Sequence, residues 1–185
     1  MLIDEEKRFY CRLAEAIQAW LNVEVESYLL YAFMMKGANT HLISATFHHI
    51  ESFDSKIGLI NNCMKLTIDH DSSVMKTWKN IHNRSLKLNK KRNKIVHEPV
   101  VVTVSGGEKT IELSPSSFNS LVVSKGQTTH SGPIGKTFKP SKTKLLEEHK
   151  LDVYQLYGLK RSFLNLAHEL REFREKLFQN MAKEG

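Results

Sequence analysis

The feature that most restricts the fold is a row of apolar residues near the C-terminus: Leu156, Leu159, Phe163, Leu166, Leu170, Phe173 and Leu177, spaced alternately by three and four. That spacing returns each side chain to one side of an α-helix. A stripe of this length must lie along another long helix or a second copy to be covered. Its start is marked too, because Asp152 and Gln155 have capping-box spacing while Leu151 and Leu156 stand at hydrophobic-staple positions.

Helices to cover the stripe are available upstream. Phe9, Leu13, Ile17, Trp20 and Val23 predict a helix over about Asp4 to Met35, ended by Gly37-Ala38-Asn39. Phe47, Ile50, Phe53, Ile57, and Ile60 or Met64 predict a second from about Ile43 to Leu66, followed by the polar run Asp69-His70-Asp71-Ser72-Ser73. These two are expected to form an antiparallel pair. A third helix is expected from Ser73 or Val74 to about Val96, because Pro99 disfavours helical geometry at Glu98. His97 therefore falls at a helix C-terminus.

Pro99 to Val104 is β-branched, Ser105-Gly106-Gly107-Glu108 is turn-like, and Thr110 to Leu113 supplies a returning strand, so a hairpin is expected. Ser114 to Ser141, rich in Ser, Thr, Gly, Lys and Pro, reads as an extended loop with room for a short strand at Ser120 to Val123. The expected fold class is mainly α: one domain over 1–185, an antiparallel helical bundle with its core at about 1–98 and 142–184. A small β-hairpin and loop insertion, about 99–141, precedes the last helix.

Composition excludes several classes. The 185 residues suit one core, and 41% apolar with 25% charged residues matches an average soluble protein. The most apolar stretch, Ile17 to Met35, contains Glu24 and Glu26, so crossing a bilayer would bury two carboxylates. It reads as a core helix, and no membrane partner is expected. The acidic start, Asp4-Glu5-Glu6, lacks the positive charge of a secretory signal, and Cys11 and Cys63 have no metal-like spacing. Both point to reduced thiols in the cytoplasm.

No cofactor is expected. Gly132-Pro133-Ile134-Gly135-Lys136-Thr137 superficially suggests a phosphate-binding loop, but the first glycine of that pattern would have to stand at His130. His48-His49 and Asp69-His70-Asp71 lack a spaced partner motif, and His168 beside the terminal stripe reads as structural, so no metal site is expected.

The net charge of +7 is concentrated in one segment. Lys76 to Lys94 holds eight bases (Lys76, Lys79, Arg84, Lys87, Lys90, Lys91, Arg92 and Lys94) and no acid, and the other 19 bases nearly balance all 20 acids. A localised positive field favours a polyanion such as RNA; the plainer reading is a solvated lysine face.

That helix ends in Arg92-Asn93-Lys94-Ile95-Val96-His97. Extending the stripe Trp78, Ile81, Ser85, Leu88 brings Arg92 and then Ile95 onto the buried face, where an arginine needs an anion or hydrogen-bonding partner. Asn93 and His97 are four apart and share a face, and the Arg92 side chain can bend toward it. Two readings stay open. In one, arginine and a titratable histidine handle phosphate; in the other, Arg92 is held by a carboxylate such as Glu24, Glu26, Glu51 or Asp54, and His97 only caps the helix.

Arg92 to His97 resembles the R-x4-H motif of the HEPN superfamily, with the usual polar residue after the arginine. Its setting is similar as well: a late basic helix, two long amphipathic helices before it, a terminal helix after it. The likeness covers about residues 1–98 and 142–184. It implies a homodimeric helical bundle, a metal-independent endoribonuclease serving as a toxin or antiviral effector, and a possible antitoxin or defence-system partner protein. By this resemblance Arg92 and His97 are catalytic and Asn93 supports them, while Arg84, Lys87, Lys90, Lys91 and Lys94 hold RNA. Some members keep the fold and only bind RNA, nucleotide or protein. One departure is Pro99, which stands where a subset of the family carries a tyrosine modified by a nucleotidyltransferase antitoxin; that control is not expected here.

Overall fold

A computed structural model describes residues 2–69, 72–98, 100–105, 108–113 and 151–184. The expected loop, its short strand and the Gly132 to Thr137 segment lie outside these residues. The described chain is mainly helical: α1 (Leu2–Met34), α2 (Thr40–His49), α3 (Phe53–Thr67), α4 (Ser73–His97) and α5 (Val153–Glu184), with strands β1 (Val100–Ser105) and β2 (Glu108–Leu113). Among the described residues, no helix is long and apolar enough to cross a membrane.

Each boundary has a local cause. Gly37, at φ +96°, takes the left-handed conformation that ends α1 at least steric cost. Asn39 caps α2 through its Oδ1, which accepts from the backbone of His41 at 2.9 Å. Ser72 caps α4 by accepting from Met75 N at 3.2 Å. At α5 the capping box forms in both directions: Gln155 N donates to Asp152 Oδ1 at 2.8 Å, and Asp152 N donates to Gln155 Oε1 at 3.1 Å.

The expected single helix from Ile43 to Leu66 is two helices. Ile50 is extended, with ψ 117°, and Ser52 caps α3 through its Oγ, which accepts from Ser55 N. The apolar period runs on through Phe47, Phe53, Ile57 and Ile60, all buried, which hides the break. The break also changes the path. Phe53 meets Trp20, and Lys56 meets Glu24, so residue numbers rise together and α3 runs parallel to α1. The expected antiparallel neighbour is instead the short α2, whose Phe47 packs on Tyr28 and Tyr31.

The terminal stripe is buried as its spacing required. It is covered chiefly by α1, and the two helices are parallel: Arg12 faces Tyr157, Glu15 meets Lys160, Trp20 packs on Phe163, Glu26 pairs with Arg171 and Phe33 packs on Phe178. From Arg12 to Phe33 the pair keeps register over about 32 Å of helix. Helix α4 runs the other way, with Trp78 against Phe173 and Arg84 paired with Glu169.

Two tryptophans tie the layers together. Trp20 lies edge-on to Phe53 and Phe163, joining α1, α3 and α5. Trp78 joins α4 to α5 and donates its indole N–H to Asn61 of α3 at 3.1 Å. Both are essentially inaccessible and both have satisfied N–H groups. The antiparallel hairpin pairs Val100 with Leu113 and Ser105 with Glu108. Leu113, fully buried, donates its N–H to Leu151 O and so seats the hairpin at the start of α5.

Candidate functional site

The site is built where the last turns of α4 meet the middle of α1 and the beginning of α3. Helix α4 brings a mostly polar sequence to a buried face: Ser85, Leu88, Asn89 and Ile95 are buried, and Arg92 keeps 29% of its side chain exposed. The inward register expected for Arg92 is therefore observed. Its NH2 lies 3.8 Å from Glu24 Oε1 of α1, and its NH1 donates to Asn93 Oδ1 at 3.1 Å.

Glu24 is the hub. Its Oε1 accepts the Trp20 indole N–H at 2.9 Å, a bond within α1 that fixes the carboxylate. On its other oxygen sits Lys56 Nζ of α3, at 3.8 Å, with the ammonium also 5.4 Å above the Phe47 ring. Both cations are within charge-pairing distance but beyond hydrogen-bond length, so the carboxylate orients them without consuming their donors. One turn before Arg92, buried Asn89 donates its amide to Asp54 Oδ1 of α3 at 3.0 Å. Its Oδ1 is buried with no hydrogen-bond partner among the described residues, an orphan acceptor inside the same junction.

His97 is the last residue of α4, exposed, and Glu98 N closes the helix on Lys94 O at 2.9 Å. Five residues of helix set Arg92 and His97 about 140° apart around the axis, whereas Asn93 and His97 are about 40° apart. The structure thus brings Arg92 and Asn93 together. It sets His97 on the outer side, with no hydrogen bond or ion pair to another described residue.

The outer side of α4 is the basic one. Lys76, Lys79, Lys87 and Lys90 are exposed and fall in one sector of about 80° that also contains His97. Lys91, exposed, borders this row, and Lys94 is half-buried. Arg84, half-buried, pairs its guanidinium with Glu169 and joins α4 to α5.

Glu24 and Asp54 are among the carboxylates that the sequence offers Arg92, whereas Lys56 and Asn89 are not among the expected site residues. Asn89 was detectable, since it precedes Arg92 by one turn. Lys56 was hidden by the unseen break before α3. Among the described residues, no three His, Cys, Asp or Glu side chains converge as a metal site. Comparison with known proteins gives no match: no family model, no curated protein and no solved structure.

Proposed function

We propose that this chain is a homodimeric, HEPN-like, metal-independent endoribonuclease, a cytoplasmic toxin or antiviral effector, with Arg92 and His97 as its catalytic residues. The observation that carries the reading is that one helix bears both an oriented guanidinium with donors to spare and, about 140° around its axis, a row of exposed lysines that ends at an exposed histidine. Lys87, Lys90 and Lys91 hold the RNA backbone electrostatically. The ribose 2′-oxygen attacks the adjacent phosphorus, the bond from phosphorus to the 5′-oxygen breaks, and a 2′,3′-cyclic phosphate and a 5′-hydroxyl result. His97 moves one proton, removing it from the 2′-hydroxyl or delivering it to the leaving oxygen. Arg92 stabilises charge on the non-bridging oxygens. Because one chain supplies one such histidine, the second proton transfer falls to His97 of a second copy.

The divergence of Arg92 and His97 supports a second reading, a non-catalytic RNA-, nucleotide- or protein-binding module built on the same helix. Incubation of single-stranded RNA with the protein in EDTA separates the two. Cleavage that disappears in both Arg92→Ala and His97→Ala is the expected result. Salt-sensitive binding without turnover selects the binding module, and cleavage that survives either substitution refutes the assigned site.

A further inference from the structure

We infer that Lys56 is a second phosphate-binding cation beside Arg92, and that Glu24 is the positioning residue that sets the two side by side; this rests on the reading above, in which the site takes an RNA phosphodiester. The two cations come from different helices and converge on the two oxygens of one carboxylate, each at 3.8 Å. Glu24 itself cannot swing freely, because the Trp20 indole holds Oε1 at 2.9 Å and Trp20 is locked in the core. A fixed anion between two cations spaces them without taking their hydrogen bonds. A phosphate offers several oxygens to receive those bonds, and a guanidinium beside an ammonium suits it in both charge and geometry.

The Arg92 and Glu24 side chains are 29% and 26% exposed to solvent, and Lys56 beside them is 12% exposed. A lysine placed there only to neutralise Glu24 needs no second cation on the same carboxylate. With Arg92 present as well, the hub carries one positive charge more than Glu24 balances. Asp54, which offsets that charge at longer range, is exposed and engaged with Asn89.

The test uses the full chain carrying His97→Ala, so that binding is read without turnover, and a single-stranded RNA oligonucleotide titrated across a salt series. Lys56→Met is expected to weaken binding about tenfold at low salt and to lower the slope of log affinity against log salt by about 0.7, the loss of one phosphate contact on a single strand. Lys56→Arg should restore the slope, and thermal melting checks that each variant is folded. A slope unchanged in folded Lys56→Met assigns the lysine to charge neutralisation and overturns the inference alone. Absence of RNA binding in the Lys56-intact parent overturns the functional reading and this inference with it. With His97 restored, Glu24→Gln should lower kcat about tenfold without raising KM, because losing a negative charge cannot weaken phosphate attraction but does release the cations from register. An unchanged kcat removes Glu24 from its positioning role.

Discussion

Glu24 and Glu26 stand two residues apart on one helix, yet the protein treats them in opposite ways. Glu26 faces α5 and is 4% exposed; Arg171 donates to its Oε1 from Nε at 2.9 Å and lies 2.8 Å away through NH2. Arg174 NH2 lies 3.3 Å from Oε2, close enough to pair in charge but off the line of a hydrogen bond. Glu24 faces α3 and α4, remains partly exposed, and meets its two cations only at 3.8 Å. Two residues of helix turn about 200°, so the two carboxylates had to find different neighbours. A buried carboxylate held by a short charge-assisted bond on one oxygen and a close cation on the other closes a seam. One that holds cations at arm's length leaves them able to act on something else.

This contrast can be broken by substitution, and the seam should respond most. Phe163→Ala opens a cavity beside Trp20 and is expected to cost about 3–5 kcal/mol in denaturant unfolding. Glu26→Ala should cost about 2 kcal/mol, less than the ~3–5 of a fully buried pair because water still reaches half of Arg171. Asp152→Ala, which removes one arm of the α5 capping box, is expected to cost about 1 kcal/mol. Glu24→Gln keeps an acceptor for Trp20 and should cost less than about 1 kcal/mol while still altering turnover. A larger stability loss at Glu24 than at Glu26 would erase the distinction between hub and seam.

The smallest effect expected is one of pH. Burial pushes the His82 imidazole below its ordinary value of 6.5, with nearby Lys65 acting in the same direction and a hydrogen bond to Asn83 opposing. The unfolded chain therefore takes up a proton at a pH where the folded chain does not. His82 costs no stability above that value, and stability falls as pH drops through it toward the lower folded-state value. Melting temperatures at pH 7.5 and 5.5 should differ less in His82→Gln than in the unsubstituted protein.

Much of this was legible in the residues because periodicity reports burial. The stripe Leu156 to Leu177 and the register that turns Arg92 inward follow from which side chains a helix must hide, and the stop before Pro99 follows from the clash a proline imposes on the residue before it. The capping box was readable because its two partners are three residues apart. The break at Ile50 to Ser52 was not, since apolar spacing continues across it and a serine cap is a weak signal inside a strong period. A helix drawn straight through that break would run α3 the wrong way and carry Lys56 away from Glu24. The parallel pairing of α1 with α5 is likewise a long-range choice that spacing cannot express. For the site, a carboxylate beside Arg92 is one of the two readings the residues leave open, with four candidates, and only the packed helices select Glu24.

The account turns on whether Arg92 and His97 direct a ribose hydroxyl at its neighbouring phosphate. An oligonucleotide containing one strongly cleaved position, incubated with the protein in EDTA beside an identical strand carrying a 2′-deoxy residue there, asks this directly. The expected result is a 2′,3′-cyclic phosphate and a 5′-hydroxyl from the first strand, no cut at that position in the second, and no cleavage of either by His97→Ala. Equal cleavage of the deoxy-substituted strand would contradict the mechanism.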